Sequence, residues 1–422
     1  MVQGGPGHGP VDFAAWVRSR RVAAMLTQEQ LAGRAGLSVR TVRSVEAGSQ
    51  NGLRLETRRL LLATLGAPTT QTVEADPSTA AAASAVTAVP AQLPADIAGF
   101  AGRTDLLCQL DQLVTARQAA ASGPMVISAL AGMPGVGKSA LAVHWAHQVR
   151  ELFPDGQLYV DLRGFTVGAA SLRPVDALAQ FLRALGVSAE QVPAGLDASV
   201  ALYRSLLADR RMLILLDNAQ SAEQVRPMLP GGGKNLVLIT TRDRLSALIA
   251  RDGAVRFTTG VLSSTEALEL LEGVLGPERV AAELEAATEL TELCGYLPLA
   301  LRIVATALQD QPLMSISEYT ERLRPNVLGG LVIHDDPHFA VRAAFDLSYT
   351  ALPERARWLF RRLSLLPTHG FTTESAAVAA DLDLVEAAEV LDLLVRAHLI
   401  EKQTPGRFTC HSLLRLYASA GK

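Results

Sequence analysis

A chain of 422 residues is too long for one ordinary domain, and its 49% hydrophobic content suffices for several packed cores. The net charge of −3 hides a split: residues 1–68 hold nine Arg against four acids, a local +5 that leaves −8 for the remainder and makes the N-terminal part the place for a polyanion. Cys108, Cys294 and Cys410 form no C-x-x-C pair, which argues against a zinc site or a disulfide framework, and the lack of a signal-type segment or a run of eighteen apolar residues points to a cytoplasmic chain with no membrane contact.

Residues 1–10 are rich in Gly and Pro and read as disordered. A helical pattern then runs from Asp12 to Ala24 through Phe13, Trp16, Val17 and Val22. Thr27, with Gln30 three positions later, has capping-box spacing and opens a second helix through Leu31 and Ala35. Gly36-Leu37 makes the turn, Ser38 caps a third helix from Val39 to Ala47, and Gly48 stands where a glycine closes a helix. Two short helices joined this tightly, the second bearing Arg40 and Arg43, make the helix-turn-helix pattern. The stretch LTQEQLAGRAGLSVRTVRSVEAG resembles the Cro/repressor-type (XRE) helix-turn-helix, a likeness that spans residues 12–67. By that resemblance double-stranded DNA is the partner. Ser38, Val39, Arg40, Arg43 and Ser44 would face base edges or nearby phosphates, Gln28 would touch the backbone, and Val42 and Val45 would be core. The rival reading of the residues is a small helical domain that binds a protein.

Thr69 to Ala95 holds nine alanines, three prolines and no Lys or Arg, and reads as a flexible linker. Phe100-Ala-Gly-Arg103 precedes a helix from Asp105 to Ala119. Next comes the motif around which the chain is organised. A strand at Met125 to Ser128 runs into Gly132-Met-Pro-Gly-Val-Gly137-Lys138-Ser139, which fits G-x-x-x-x-G-K-[ST], and Ala140 onward reads as a helix. Such a loop turns several backbone N–H groups on one spot, where the helix dipole also favours an anion. Gly132, Gly135, Val136, Gly137, Lys138, Ser139 and Ala140 are therefore candidates to hold a nucleotide's phosphates, with the Ser139 hydroxyl on Mg2+.

Strand and helix signals then alternate: a strand in Gln157–Gly164, helices at Pro174–Leu185 and Ser199–Ala208, and the buried strand Arg211-Met-Leu-Ile-Leu-Leu-Asp217. Asp217 closes that strand at its C-terminal edge beside the phosphate loop, positioned to hold the magnesium through water. Asn235–Arg242 is a further buried strand, and Arg242 can sense a γ-phosphate. Lys138, Asp217 and Arg242 are the candidate catalytic residues. From Ser263 to Leu323 the reading is helical, with Cys294-Gly-Tyr-Leu-Pro-Leu-Ala300 read as a proline break in a helix. Helices at Val341–Ser348, Glu354–Leu363 and Leu384–Ala397 precede a strand pair, Ile400–Lys402 and Arg407–Cys410, and a last helix that Ser412 begins and caps.

Residues 100–422 resemble the nucleotide-binding oligomerisation core of STAND ATPases, the NB-ARC arrangement. LYVDLRGF, LLDNAQSAEQVRPMLPG and CHSLLRLYA are similar to actinobacterial regulators of secondary metabolism that join this core to a DNA-binding head. The resemblance implies a multidomain chain: an all-α helix-turn-helix head (1–68), the linker (69–95), a doubly wound α/β P-loop NTPase domain (96–260), an α-helical domain (261–335) and a winged-helix domain (336–422). It also implies that Arg103 frames the adenosine, that Pro298 packs near adenine, and that His411 contacts the ADP β-phosphate and holds a closed state.

Three departures stand out. Asn218 replaces a second acid that relatives often have after Asp217, and it cannot act as a general base, so hydrolysis should be slow. Tyr296 replaces a glycine, and Ser412 replaces an aspartate that usually follows the histidine. Relatives also commonly continue into helical repeats that sense a signal, whereas this chain ends soon after His411. The expected function is an ATP/ADP-switched, DNA-binding transcriptional regulator that oligomerises when ATP-bound. The rivals are a signalling or defence switch whose head binds a protein, and a plain NTPase.

Overall fold

Three short helices build the N-terminal unit: α1 (Phe13–Ala23), α2 (Gln28–Ala35) and α3 (Val39–Glu46). The computed structural model describes residues 13–47, 57, 61, 64, 89–119, 126–166, 168–232, 234–333 and 335–420; the expectations for residues 1–10, Gly48 and 69–88 lie outside them, as do the side chains of Phe13 and Trp16. Thr27 and Gln30 complete the capping box at α2, Gly36 ends it in the left-handed region at φ 66°, and Ser38 caps α3 by accepting from the Thr41 N–H. Val17, Leu31, Ala35, Val42 and Val45 pack into one small core with Leu61. Val22, expected on the apolar face, is instead 60% exposed. At about 100° per residue it lies roughly 140° around the helix from Val17, away from the core.

The second unit begins on a five-stranded parallel sheet: β1 (Val126–Ala131), β2 (Gln157–Asp161), β3 (Leu213–Ala219), β4 (Leu236–Thr241) and β5 (Val255–Thr258), in spatial order β2-β3-β4-β1-β5. Each buried strand feeds two cores by strict alternation. Ile127, Val160, Ile214, Leu216 and Ile239 face the helices Pro174–Ala184 and Leu196–Leu207, while Leu130, Leu213, Leu215 and Leu238 face Thr104–Ala119 and Lys138–Val149. The sheet is thus covered on both faces, as a doubly wound fold requires. β5 has no counterpart in the sequence reading, because its four residues are mostly exposed and carry no apolar run.

The stretch read as linker to Ala95 stops short of that residue. Ala91 bridges Gln157 at the sheet edge, and the Gln157 N–H donates to the Pro90 carbonyl at 2.7 Å. An edge strand's unpaired backbone groups attract such an addition.

Helices Ser264–Leu275, Pro277–Ala282, Leu284–Leu293, Pro298–Gln309 and Ile316–Leu323 follow. Beyond a short hairpin, helices Val341–Thr350, Glu354–Arg362, Thr373–Ala380, Leu384–Arg396 and Ser412–Ala420 surround a three-stranded antiparallel sheet. Its strands are Phe371–Thr372, Arg407–Thr409 and Glu401–Thr404; the expected strand pair gains the first of these as a third member. One continuous apolar core unites these helices and takes in Met133 and Val136 from the phosphate loop. No described helix is long and apolar enough to cross a membrane.

Candidate functional site

The glycine loop connects the end of β1 to the helix Lys138–Val149, whose N-cap is Gly137 at φ 87°, a conformation that side-chain-bearing residues rarely adopt. The loop's carbonyls currently hold its own lysine. Lys138 Nζ donates to the carbonyls of Gly132 (2.8 Å) and Met133 (3.0 Å). Burial pushes that amine down to about 7, with Arg242 adding to the push and Asp217 opposing it. An ammonium so poised gains strongly from a phosphate.

Asp217, at the C-terminal end of β3, accepts from the Ser139 hydroxyl at 2.7 Å, from the Thr240 hydroxyl, and from Tyr159 at 3.4 Å. Burial pushes its carboxyl upward despite the Ser139 and Thr240 hydrogen bonds, and Asp161 adds to that push. Arg242, just past β4, donates to the carbonyl of Ala344 at 2.7 Å and to Ser348 at 3.3 Å, and lies over the Phe165 ring. Both acceptors sit on the helix Val341–Thr350, so this guanidinium ties the sheet to the C-terminal helices.

A cleft of about 400 Å³ opens at the carboxyl ends of the strands, the position where open α/β sheets bind ligands. Gly135, Gly137, Lys138, Ser139, Ala140, Asp217 and Arg242 line it, as expected. So does Pro298, though not as the kink read from the sequence. The preceding helix ends at Leu293, Gly295 and Tyr296 turn the chain at positive φ, and Pro298 opens a new helix at the position where a missing N–H costs nothing. The next N–H, of Leu299, donates to the Gly135 carbonyl at 3.1 Å and fastens that helix to the phosphate loop.

Four expected residues are placed differently. Gly132 contributes its carbonyl to Lys138, and the Val136 side chain is fully buried in the C-terminal core; neither lines the cleft. Arg103 turns its guanidinium to the carbonyls of Val136 (3.1 Å) and Val261 (3.2 Å), bracing the loop from behind. His411 stands outside the cleft lining with Nε2 2.8 Å from the Gly295 carbonyl, where it donates, which leaves Nδ1 to accept the Leu413 N–H at 3.2 Å. Burial pushes this imidazole's pKa down, consistent with a neutral ring that donates from one nitrogen and accepts at the other. The ring therefore caps the final helix itself. Ser412, read as the cap, is that helix's first residue.

Sequence reasoning missed Ile97, Asp161, Thr240, Leu299, Arg302 and Phe339 in the cleft lining. Asp161 had a signal, since like Asp217 it follows an apolar strand run in the sequence. His398, after the helix Leu384–Arg396, was also passed over; it has φ 53°, and burial together with Lys138, Arg244 and Arg256 pushes its imidazole down to about 3.

In the head, Arg40 and Ser38 are exposed, with Val39 and Ser44 partly so. Gln28 is less available than a free backbone contact requires. Its amide donates to Glu46 at 2.8 Å and accepts from Arg43 at 3.2 Å, while Arg43 also reaches Glu29 at 3.2 Å. Arg21 completes the network with a 2.6 Å bond to Glu46.

Residues 111–281 match the NB-ARC domain and residues 17–71 match a helix-turn-helix family. The regulatory protein AfsR of Streptomyces coelicolor is 42% identical over 384 residues, covering 86% of this chain and 38% of its own length. The Streptomyces griseus protein of the same name is 43% identical over 334 residues, covering 78% and 33%. The chain thus spans under two fifths of these curated relatives. A Walker-type ATPase of Pyrococcus abyssi, 12% identical with a TM-score of 0.51, covers 76% of this chain and 96% of its own, and shares the fold.

Proposed function

We propose that this chain is a STAND P-loop ATPase with an N-terminal helix-turn-helix, a cytoplasmic, nucleotide-switched transcriptional regulator of secondary-metabolite genes, a reading that the NB-ARC and helix-turn-helix matches and the AfsR likeness support. ATP or ADP occupies the cleft, and its phosphates govern whether the C-terminal helices stay docked on the sheet. The observation that carries the reading is Arg242. Its side chain lines the cleft while its guanidinium bonds Ala344 and Ser348, so an anion arriving there competes for a cation that now holds the C-terminal helices. Met133 and Val136, packed into the C-terminal core, support the same coupling from the phosphate loop.

Ser139 and Asp217 fit Mg2+: both are hard oxygen donors, and among the described residues the hydrogen bonds to the buried carboxylate all come from hydroxyls. When bound, the ion would neutralise charge on the β- and γ-phosphates. The working boundaries are a DNA-binding head at 1–68, a connecting segment from 69 that gives way to the sheet at Pro90 and Ala91, the NTPase domain from there to 260, a helical domain at 261–335 and a winged helix at 336–422. The three-stranded sheet packed on helices supports the last. Homo-oligomerisation in the ATP state would bring several heads together on double-stranded DNA, a gain of about 10² to 10⁴ in avidity.

One observation favours a protein-binding head instead: Gln28 and Arg43 are already engaged within it. A gel shift on genomic fragments discriminates. The regulator reading expects specific complexes that strengthen with ATP relative to ADP, and a Lys138→Ala variant that ignores nucleotide. Absence of any specific complex in either state supports the protein-binding head.

A further inference from the structure

Asn218 leaves no acid directly after Asp217, yet the parallel register supplies one from the neighbouring strand. Asp161 ends β2 directly opposite Asp217, two residues before the end of β3. Adjacent strands lie about 4.8 Å apart, so the two carboxylates share one rim. They also share one face. Leu158 and Val160 pack into one core, which sends Tyr159 to the other face together with Leu213 and Leu215, and Asp161 and Asp217 continue those two alternating rows. That is the face covered by the phosphate-loop helix, and both acids line the cleft with Lys138 and Ser139.

The two carboxylates are equipped differently. Asp217 is buried, with hydroxyl donors on both oxygens. Asp161 is half-buried; its Oδ1 accepts from the Arg163 N–H at 2.8 Å and faces the Asn218 amide at 3.5 Å, while Oδ2 carries no hydrogen bond among the described residues. Asn218 holds φ 57°, a left-handed conformation that asparagine adopts more readily than most residues, and from it the amide reaches Thr166 at 3.0 Å as well as Asp161. The residue that cannot be a base is thereby placed to steady one that can.

We propose that Asp161 is the general base of ATP hydrolysis at this site, an inference that rests on the nucleotide reading above. Asp161 Oδ2 takes a proton from a water whose oxygen forms the new bond to the γ-phosphorus. The bond from that phosphorus to the β,γ-bridging oxygen breaks, leaving ADP and inorganic phosphate, and Asp161 returns the proton to solvent. Asn218 positions the carboxylate and touches no reacting atom.

The test uses the full chain with ATP and Mg2+. Asp161→Asn preserves shape and should lower single-turnover hydrolysis by about 10²-fold or more, the usual contribution of a general base, while ATP and ADP affinities by calorimetry stay within about twofold. Nucleotide extracted after incubation should then be ATP from Asp161→Asn and ADP from wild type, and Asp161→Glu should recover part of the rate. Hydrolysis at the wild-type rate in Asp161→Asn overturns the proposal, as does loss of ATP affinity with ADP affinity intact, which would make Asp161 a ligand rather than a base. Wild-type chain that binds ATP but never hydrolyses it also overturns this assignment alone. Wild-type chain that binds neither nucleotide overturns the nucleotide reading first.

Discussion

Lys138 carries the most direct electrostatic consequence of the fold. Its free amine is pushed down to about 7 by burial, and phosphate should return it toward the ordinary lysine value of about 10.4. Binding therefore takes up a proton between those values, and affinity for ADP should fall as pH rises above about 7. Calorimetry at pH 8 in buffers of different ionisation enthalpy checks this; zero proton uptake in wild type, or an unchanged uptake in Lys138→Ala, contradicts it. Gly295 is a second residue whose identity is dictated by its neighbours. With φ 58° and an added Cβ only 2.5 Å from His411 Cε1 and 2.8 Å from Ser412 Oγ, it has no room for a side chain. Gly295→Ala should cost about 1–3 kcal/mol of stability, read as a lowered unfolding midpoint, because neither backbone nor imidazole can yield cheaply.

Among the elements, the final helix shows how one ring serves two purposes. His411 caps it through Nδ1 and ties it to Gly295 through Nε2, which frees Ser412 from the capping role. Ser412→Asp would place an acid in the first turn, where the helix dipole favours it by roughly 0.3–1 kcal/mol, so a modest stabilisation is expected. A thermal scan giving a lower midpoint would contradict that placement. In the head, α3 presents Arg40 to solvent while Arg43 leans on Gln28 and Glu29 across α2. If Arg40 reads a base, Arg40→Ala should cost about 1–3 kcal/mol at one position of the site; if it meets a phosphate, the salt slope should drop by about one. Glu29→Gln should release Arg43 and tighten DNA binding by up to about fivefold, the scale of an exposed ion pair. Fluorescence anisotropy across a salt series separates these outcomes, and weaker binding by Glu29→Gln would refute the release.

At the scale of the whole second unit, the cleft at the strand ends and the C-terminal helices are joined through shared residues and direct bonds. Arg242 lines the cleft and bonds the helix Val341–Thr350, Leu299 lines it from the helix Pro298–Gln309 and bonds the phosphate loop, and Met133 and Val136 extend that loop into the C-terminal core. Arg242→Ala should therefore speed ADP release by about tenfold or more, the scale of hydrogen bonds to a charged group, and Ser348→Ala should do so less. Stopped-flow release of a fluorescent ADP measures both; identical rates in all three chains would mean that Arg242 holds nothing that nucleotide release must open.

The phosphate loop, the capping box at Thr27 and Gln30, the Ser38 cap and the alternating strands were legible in the sequence because each depends on neighbours a few residues away. Backbone dihedrals, caps and side-chain periodicity are local, and G-x-x-x-x-G-K-[ST] is a local shape with a local purpose. What tertiary structure alone decided lies across long separations. The register that sets Asp161 beside Asp217, the reach of Arg242 to Ala344, the pairing of His411 with Gly295 and the docking of Ala91 on Gln157 join segments tens to more than a hundred residues apart. Those contacts follow from which elements pack together and in which register. A run of residues specifies its own helix or strand, but the partner across the cleft is chosen by the packing of the whole unit.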